Sequence, residues 1–491
     1  MRARQLQLGC AEVQGAAFSP YIRLLPSAYD DGINSIIGTR IGQRPNPREV
    51  SMFLLSSRLA IPSSSNSMVM QFGQFLSHDI TRNALESKCT CQSGISAFCA
   101  NVPRPPTDKI AGGCVAFTRS FPVCGTGIGN RPREQYNENT AFIDGSSVVN
   151  GRFFPPNNRR DSITVGDDRA TLFLGLAAMH TTFFRLHNNI AANMQIMNRH
   201  WNQDRIFQET RKIVGSIIQV ITFQEFLPTL IGPFHSRLVP PYIKYDQSVN
   251  PGILNEFAAA AYRLHGLIQE FYPLLGPNFE NKGQVPFLDG VGRIERILTA
   301  IDSVYRGFIA TPARSPQRIT TSVTERLFGD TDLATVNIQR GRDHGLRPYN
   351  DYRKLCQLKP IVNFDEWPEV TQEVVRKRVA QLYRTPDDLD LYVGGVLEEP
   401  IEGSLVGPTF ACIIAEQFVR LRDGDRFYFE NEGIFSSSQV AALKEVTLSW
   451  ILCETGDSMT RIVPNAFTID RGEKALPCRS LKRLDLSPWK E

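Results

Sequence analysis

The stretch MQFGQFLSHDI, residues 70–80, is the starting point for interpreting much of the remaining chain. Its apolar residues recur every three to four positions, which predicts a helix with a buried face. Gln74 and His78 stand four positions apart on this helix, so an amide and an imidazole can point at the same region of space. Polar groups on an apolar helix must be hydrogen-bonded or used. His78 is therefore either a satisfied core histidine or a functional residue.

The composition is that of an ordinary globular protein. The chain has 491 residues, of which 42% are hydrophobic and 21% are charged. The net charge of +4 comes without a basic run, so no nucleic-acid partner is expected. No apolar run of about 18 or more residues is present, so no transmembrane segment is expected. Without an internal repeat or linker, residues 1–491 are predicted to form one large domain; the oligomeric state is not indicated.

Helical patterns dominate the second part of the chain. Residues 1–66 are rich in Pro and Ser and look like an arm wrapped over a core, and residues 84–135 look like a loop region with many cysteines. Helices are predicted at 170–194, 206–230, 251–271, 320–328, 366–383, 407–421 and 437–452. Strand-like alternation is scarce. The expected fold class is therefore mostly α, with little β structure.

The cysteines indicate an oxidising compartment. Five of the ten lie in the loop region, at Cys89, Cys91, Cys99, Cys114 and Cys124. A zinc cluster would need C-x₂₋₄-C pairs, which the C-T-C spacing at 89–91 fits poorly, so disulfides are favoured. The first residues lack the apolar core of a secretory signal, so the chain is either cytosolic or a truncated or processed form. The cysteines favour a secreted protein, although no N-x-S/T sequon is present.

His265 lies in an unusual setting. Four alanines at 258–261 precede it and Gly266 follows it, so a flat, wide group could approach the backbone while one imidazole points at it. An axial haem ligand needs this arrangement. The alternative is a tight helix crossing filled by small residues. On this segment alone both interpretations stay open.

The other polar candidates have simpler explanations. His180 and His187 lie seven positions apart on a predicted helix and are expected to be structural. His344 lies in what looks like a charged turn at 340–345, where a salt bridge is expected. Arg169 follows two aspartates near a helix start, where the acids suit the helix dipole and the arginine would be solvated.

A second constellation has oxygen atoms at alternate positions. Thr140, Asp144 and Ser146 carry side-chain oxygens, and the Phe142 carbonyl falls between them. In an extended loop every second residue faces one side, so these groups can surround one hard cation. Ca²⁺ takes six to eight oxygen ligands, and Asp79, next to His78, is a further carboxylate. The alternative is an ordinary polar turn.

Together these motifs resemble the animal haem peroxidases, the family of myeloperoxidase, lactoperoxidase and peroxidasin. The resemblance runs from FSPYIRLLP at 18–26 to about residue 461. The matching motifs, in the order of the family, are QFGQFLSHD (71–79), TAFIDGS (140–146), Arg169 upstream of MHT (179–181), YRLH (262–265), NIQRGRDHGL (337–346) and LRDGDRFY (421–428). The ordered set is more specific than any one of its members.

The resemblance implies a role for each candidate in the reduction of H₂O₂. His78 would be the distal acid–base that moves the peroxide proton. Arg169 would stabilise the negative charge that develops as the O–O bond breaks, and Gln74 would hold distal water or a halide. His265 would be the proximal ligand of the haem iron. Asn337 would accept a hydrogen bond from the far nitrogen of that ligand.

The resemblance also implies a calcium site and four disulfides. The family's ligands to one Ca²⁺ match Asp79, Thr140, Phe142, Asp144 and Ser146. The family's disulfides match Cys89–Cys99, Cys91–Cys114, Cys356–Cys412 and Cys453–Cys478. Cys10 and Cys124 have no matching partner, which is consistent with a missing N-terminal piece.

Two positions depart from the family pattern. Members with covalently attached haem have an Asp just before the distal His and a Glu three residues after the distal Arg. Here these positions are Ser77 and Leu172. One haem b is therefore expected to bind without covalent links. Less distortion of the macrocycle implies modest oxidising power, suited to phenols, tyrosine or tyrosyl groups and iodide, with little or no chloride oxidation.

Two other functions remain as alternatives. A catalytically weak relative could act in adhesion or extracellular-matrix assembly, and Ser77 and Leu172 keep that possibility open. A fatty-acid dioxygenase is the second, because the distantly related cyclooxygenases also hold haem without ester links. The calcium motif and the Arg169 match favour the peroxidase. The protein is therefore expected to use H₂O₂ and small-molecule or tyrosyl electron donors.

Overall fold

Helices form most of the regular structure in the part of the chain that a computed structural model describes. That part comprises residues 14–38, 44–85, 88–110, 113–148, 165–329 and 331–491. Strands in these ranges form short antiparallel pairs only. The prediction of a mostly α fold with little β structure is confirmed.

The α-helices are numbered in chain order within the described residues. They are α1 (Pro47–Val50), α2 (Met68–Ile80), α3 (Leu174–Met197), α4 (Gln203–Ile221), α5 (Leu227–Ile231), α6 (Phe234–Leu238), α7 (Glu295–Ala310), α8 (Thr321–Thr324), α9 (Leu333–Asp343), α10 (Tyr349–Leu355), α11 (Glu373–Leu382), α12 (Leu391–Leu397), α13 (Pro408–Asp423), α14 (Ser437–Lys444) and α15 (Leu448–Thr455). Three π-helical turns lie at Ser51–Leu55, Thr222–Phe226 and Phe257–Ala261.

The strands contain two to six residues each. They are β1 (Ser19–Pro20), β2 (Pro62–Asn66), β3 (Val102–Pro103), β4 (Cys114–Val115), β5 (Tyr136–Asn137), β6 (Phe271–Leu275), β7 (Asn281–Pro286), β8 (Pro312–Arg314), β9 (Arg461–Ile462) and β10 (Leu476–Pro477). The pairs are β1 with β5, β2 with β8, β3 with β4, β6 with β7, and β9 with β10. These pairs fasten distant loops to the helical core.

Helices α2, α3 and α4 are the layers behind the candidate site. Helix α2 packs on α3, and α3 packs on α4. Phe75 of α2 stacks on Phe183 of α3 with ring centroids 4.8 Å apart. The His180 ring meets the Phe75 ring edge-on, with centroids 5.1 Å apart. Aromatic pairs at such distances add to the stabilisation that burial provides. His180 is thus part of the core contact between the two helices, as expected of a structural residue.

The helix that begins at Gln203 continues almost without a break to Ile231. Helix α4 passes through the π-helical turn Thr222–Phe226 into α5, and Gly232 ends it at a φ of +53°. Pro228 is tolerated because it stands in the first turn of α5, where its missing N–H costs little. Of the described helices, only this one is long and apolar enough to cross a membrane, yet 78% of its most apolar window is buried inside the protein. Its apolar character is that of a core helix.

Several predicted helices are shorter than the pattern indicated. The segment 320–328 is helical only over Thr321–Thr324, and 366–383 becomes an α-helix at Glu373. The segment 437–452 divides into α14 and α15, because Thr447 caps a new helix by accepting from the Trp450 N–H. Helices α7, α9, α10 and α12 were not predicted. Helices α9 and α12 are buried on most sides, so their sequences lack a clear polar stripe, whereas the amphipathic pattern of α7 was missed.

The four predicted disulfides are present. They join Cys89 to Cys99, Cys91 to Cys114, Cys356 to Cys412 and Cys453 to Cys478. The first two fasten the loop region, whose described residues form short strands, a 3₁₀ turn at Cys91–Ser93 and other turns. Cys124 is exposed and unpaired in the described structure, and Cys10 lies outside the described residues. Four disulfides indicate an oxidising compartment.

The described part of the N-terminal arm is built into the core. Ser19–Pro20 pairs with β5, and Tyr21 is 2% exposed. Arg48, also 2% exposed, makes ion pairs of 2.7 Å with Asp108 and with Asp332. Buried pairs of this kind are costly to break one partner at a time. The arm therefore fixes the loop region and the start of α9 to each other.

Candidate functional site

One stripe of helix α2 faces a cavity. Gly73, Gln74, Ser77 and His78 are half-buried and line the cavity, whereas the other nine residues of this 13-residue helix are buried. Positions three and four residues apart lie on the same face of an α-helix. The prediction that Gln74 and His78 point at the same region is confirmed.

The cavity brings the two singled-out histidines together. Its volume is about 500 Å³, within the usual range for a ligand pocket. His78, Gln74 and Arg169 line it together with Leu172, Arg263 and His265. His78 and His265 are separated by nearly 190 positions in the sequence, and long-range packing alone makes them neighbours of one cavity.

The backbone around His265 is not the long helix that the sequence predicted. After the π-helical turn Phe257–Ala261, the chain unwinds, and a 3₁₀ turn at His265–Leu267 carries the imidazole. The strand β6 then begins at Phe271, inside the predicted helix. The apolar residues of this segment recur at helical spacing, and tertiary contacts override that local pattern, which explains the error. π-Helical turns are frequent at functional sites.

Gly266 makes this unwound turn possible. A Cβ atom on Gly266 would lie 2.2 Å from the backbone oxygen of Pro316. No other residue therefore fits here without displacing the neighbouring chain. Gly266 is therefore needed for the close contact of this turn with the backbone of Pro316.

Asn337 of helix α9 holds His265 in place. Its side-chain Nδ2 lies 2.9 Å from Nδ1 of His265 and 3.1 Å from the hydroxyl oxygen of Tyr392, on helix α12. Asn337 is fully buried, and its Oδ1 has no hydrogen-bond partner. The contact leaves Nε2 of His265 as the nitrogen available to a metal.

Arg169 lies at the edge of the cavity in a rigid setting. Asp167 caps the 3₁₀ turn Asp168–Thr171 and accepts from the Arg169 side chain, with a shortest distance of 2.6 Å. The same guanidinium donates to the backbone oxygens of His78, at 3.1 Å, and of Thr81. Burial opposes ionisation of Asp167, but these bonds and the charge of Arg169 outweigh it and lower the pKa of the carboxyl group. Arg169 is therefore fixed to the end of α2 and is not a solvated arginine.

Both cavity histidines are neutral at neutral pH. Burial, and after it the charge of Arg169, lowers the pKa of His78 well below its ordinary value. Burial, and after it the charge of Arg263, lowers the pKa of His265 to about 3. A neutral imidazole has a lone pair that can accept a proton or bind a metal ion.

The loop at 140–146 docks on the buried Asp79. The carboxylate of Asp79 accepts N–H bonds from Asp144 at 3.2 Å, from Gly145 at 3.1 Å and from Ser147 at 2.9 Å. The hydroxyl of Thr140 is buried without a partner. The loop thus brings the two carboxylates and an unsatisfied hydroxyl together beside α2.

The predicted alternation of side chains between the two sides of this loop is also present, as an alternation in burial. Phe142, Asp144 and Ser146 are half-buried, and the residues between them are buried. Burial, and after it the negative charge of Asp144, raises the pKa of Asp79 to about 7. A bound cation would relieve this repulsion, so the residues present fit a calcium ion.

The charged turn predicted at 340–345 is in fact the end of helix α9. His344 follows the helix and is fully buried; its ring nitrogens bond to the hydroxyl of Ser120 and the side chain of Asn255. The ion pairs belong to its neighbour Asp343, which meets Arg119 at 2.6 Å. The expected salt bridge of His344 is therefore wrong. The charged residues are buried in pairs, which a single sequence cannot reveal.

Sequence reasoning missed three residues of the site. Asp167 had been attributed to the helix dipole, Arg263 had no role, and Tyr392 was not noticed. The Asp167–Arg169 pair could have been found from the acid two positions before the arginine. Tyr392 reaches Asn337 only through tertiary packing, so the sequence carries no local signal for it.

The chain is similar in sequence to known haem peroxidases. A family model described as "Animal haem peroxidase" matches residues 11–152 and 149–467. "Peroxidase skpo-1" of Caenorhabditis elegans is 56% identical, over 98% of this chain and 76% of its own length. "Peroxidase mlt-7" of the same organism is 39% identical, over 97% and 72%. The "Peroxidasin homolog" of Mus musculus is 35% identical over 97% of this chain, which spans 38% of that relative.

Solved structures agree with the fold. Peroxidase A from Dictyostelium discoideum has a TM-score of 0.79 and 26% identity, covering 93% of this chain and 96% of that one. A fatty acid alpha-dioxygenase from Oryza sativa has a TM-score of 0.75 at 15% identity, covering 93% and 84%. At that identity the second likeness concerns the fold alone.

Proposed function

The chain belongs to the animal haem peroxidase family, and we propose that it holds one haem b without covalent links and reduces H₂O₂ with small or tyrosyl donors. The observation that carries the proposal is the placement of two imidazoles, those of His78 and His265, on one cavity of about 500 Å³. The cavity residues fit haem, because Asn337 engages Nδ1 of His265 and leaves Nε2 for iron. Haem, when bound, supplies the redox centre at which peroxide is reduced.

His78 is the residue that moves the proton. Its neutral ring accepts a proton from peroxide bound in the cavity and returns it to the departing oxygen, which leaves as water. Arg169, held by Asp167, places a fixed positive charge where negative charge develops on that oxygen. Gln74 supplies a polar side chain for water or a halide. In balance, H₂O₂ and two protons take two electrons from the donors and give two molecules of water.

The opening of the cavity supports aromatic donors. Phe328 and Leu85 line the cavity, and they are 58% and 51% exposed. Exposed apolar side chains at a pocket mouth favour a ring over a small hydrophilic anion. Phenols and tyrosyl groups, with iodide as a polarizable anion, are therefore the proposed donors, and chloride is expected to be a poor one. The disulfides support a secreted location.

An absorption spectrum before and after peroxide, followed by guaiacol oxidation, tests the function. The purified protein should show a Soret band that changes with H₂O₂, and it should oxidise guaiacol, tyrosine and iodide. A Soret band with no peroxide-dependent turnover would instead favour a role in adhesion or matrix assembly. Rapid hypochlorite production from chloride would contradict the proposed donor class.

Acid–acetone extraction tests the proposed mode of haem attachment. Ser77 and Leu172 both line the cavity, but a serine hydroxyl and a leucine side chain cannot provide the two carboxylate esters of the family. We expect the haem to leave the protein for the organic phase, even after repeated turnover with peroxide. Leu172→Glu is the matched control, because it restores one carboxylate and should retain haem on the protein after turnover. Retention by the unaltered chain would contradict the proposal.

Removal of calcium should lower stability. We propose that Asp79, Thr140, Phe142, Asp144 and Ser146 bind one Ca²⁺ through side-chain oxygens and the Phe142 carbonyl. At a free Ca²⁺ concentration of 100 times the Kd, binding adds about 2.7 kcal/mol to the free energy of unfolding. A chelator should therefore lower the thermal midpoint, and added Ca²⁺ should restore it.

Two variants give this measurement its controls. Asp144→Asn should lower the midpoint and abolish its dependence on Ca²⁺. Ser449→Ala, which removes a buried, unpartnered hydroxyl on helix α15, should leave that dependence intact. Metal analysis of the untreated protein should give one calcium per chain. A chelator-resistant midpoint together with no bound calcium would refute the site.

A further inference from the structure

The amide of Asn337 lies between the imidazole of His265 and the hydroxyl of Tyr392. Its Nδ2 is 2.9 Å from Nδ1 of His265 and 3.1 Å from the hydroxyl oxygen of Tyr392. Asn337 is 0% exposed and Tyr392 is 2% exposed, so both groups are shielded from bulk solvent. The amide oxygen, Oδ1, is buried without a partner.

The chemistry of the ligand fixes how the amide must point. An imidazole that binds a metal through Nε2 carries its proton on Nδ1, which then donates and cannot accept. An amide nitrogen facing Nδ1 would place donor against donor. A half-turn of the amide exchanges its nitrogen and oxygen, which have nearly the same shape. It removes the donor–donor contact and gives Oδ1 two donors, one for each lone pair.

Tyr392 is held so that its hydroxyl meets this oxygen. Helix α12 begins after Asp390, which receives 2.7 Å ion-pair contacts from Arg342 and from Arg44. The tyrosine stands two positions into that helix, and its hydroxyl bonds to Asn337. Burial raises the pKa of Tyr392 above its ordinary value, so the hydroxyl keeps its proton and donates it.

We propose that Tyr392 is a positioning residue that shares the Asn337 oxygen with His265 and so weakens the bond from Nδ1 of that histidine. A weaker acceptor draws the Nδ1 proton less and leaves the imidazole a poorer electron donor to iron. The hydroxyl therefore makes the Fe(III)/Fe(II) midpoint potential more positive than Asn337 alone would. The inference rests on the proposed role of His265 as the proximal ligand.

Tyr392→Phe tests the inference because it removes one oxygen atom and keeps the ring. In the ferrous protein, the iron–histidine stretching band should move to higher frequency in resonance Raman spectra. The midpoint potential should become more negative. Tyr305→Phe is the matched control, since this buried tyrosine bonds to Thr182 and should change neither value. In an Asn337→Leu background, Tyr392→Phe should have no further effect.

The outcomes separate this inference from the function on which it rests. An iron–histidine band that is present and unchanged in Tyr392→Phe, or that moves to lower frequency, would overturn the role of Tyr392 alone. Absence of any such band from the unaltered protein would overturn the assignment of His265 itself. If Tyr392→Phe does not accumulate as haem protein, the same measurement is made on the unaltered chain with 3-fluorotyrosine incorporated in place of tyrosine. The more acidic hydroxyl donates more strongly, so the band should then move to lower frequency, and no movement would refute the inference.

Discussion

His78→Leu should slow the reaction with H₂O₂ by about 10²–10⁴-fold, the contribution typical of a positioned acid–base group. The neutral imidazole is the cavity's proton acceptor, because the guanidinium of Arg169 has no lone pair for a proton, Gln74 has no titratable group, and the Glu138 carboxylate is engaged in a 2.7 Å ion pair with Arg82. Leucine fills a similar volume and supplies no lone pair. Haem should still bind, because His78 is not proposed to ligate iron.

Stopped-flow measurement of the Soret change after mixing with peroxide gives the rate directly. Haem content per chain should stay near that of the unaltered protein, which separates loss of proton transfer from loss of cofactor. His200→Leu is the control, since the His200 side chain is 59% exposed and lies away from the cavity. A rate within threefold of the original in His78→Leu would show that another group moves the proton.

The sequence predicted the distal side of the site better than the proximal side. On α2 the polar residues stand out from a regular apolar pattern, so spacing alone placed Gln74 and His78 together. Around His265 the apolar residues keep a helical spacing, although the chain there forms a π turn, a 3₁₀ turn and a strand. His265 does line the cavity, but its backbone is not the helix that was predicted.

Buried charge was the second limit of the sequence. The run at 340–345 looked solvated, yet Asp343 is fully buried and pairs with Arg119 from the loop region. Arg169 looked solvated as well, although Asp167 and backbone oxygens hold it. Each of these charges depends on a partner or a neighbouring backbone whose position is set by the fold. The four disulfides were predicted from resemblance, because spacing does not determine pairing.

The arrangement of the proximal side explains why its loss should have the largest effect. His265 is carried by an unwound turn, fixed by Gly266 against Pro316 and by Asn337 at Nδ1. Among the described residues that line the cavity, His78 and His265 are the only imidazoles, and the backbone of His78 is tied to Arg169 and so to the distal side. The described lining therefore offers no third histidine to replace His265 as a ligand.

His265→Ala should therefore lower haem affinity by more than the 10–100-fold that loss of an outer-sphere partner of a metal ligand costs. Peroxidase activity should fall in proportion to the haem lost, and added imidazole should restore part of both. Asn337→Leu should have a smaller effect within that 10–100-fold range, because it removes the partner and not the ligand. His187→Ala is the matched control, a buried histidine on α3 that does not line the cavity. Because His265 bonds mainly to Asn337, the apo form of His265→Ala should keep nearly the thermal midpoint of the unaltered apo protein. Normal haem content and an unchanged Soret band in His265→Ala would place the iron ligand elsewhere and overturn the assignment of both faces of the site.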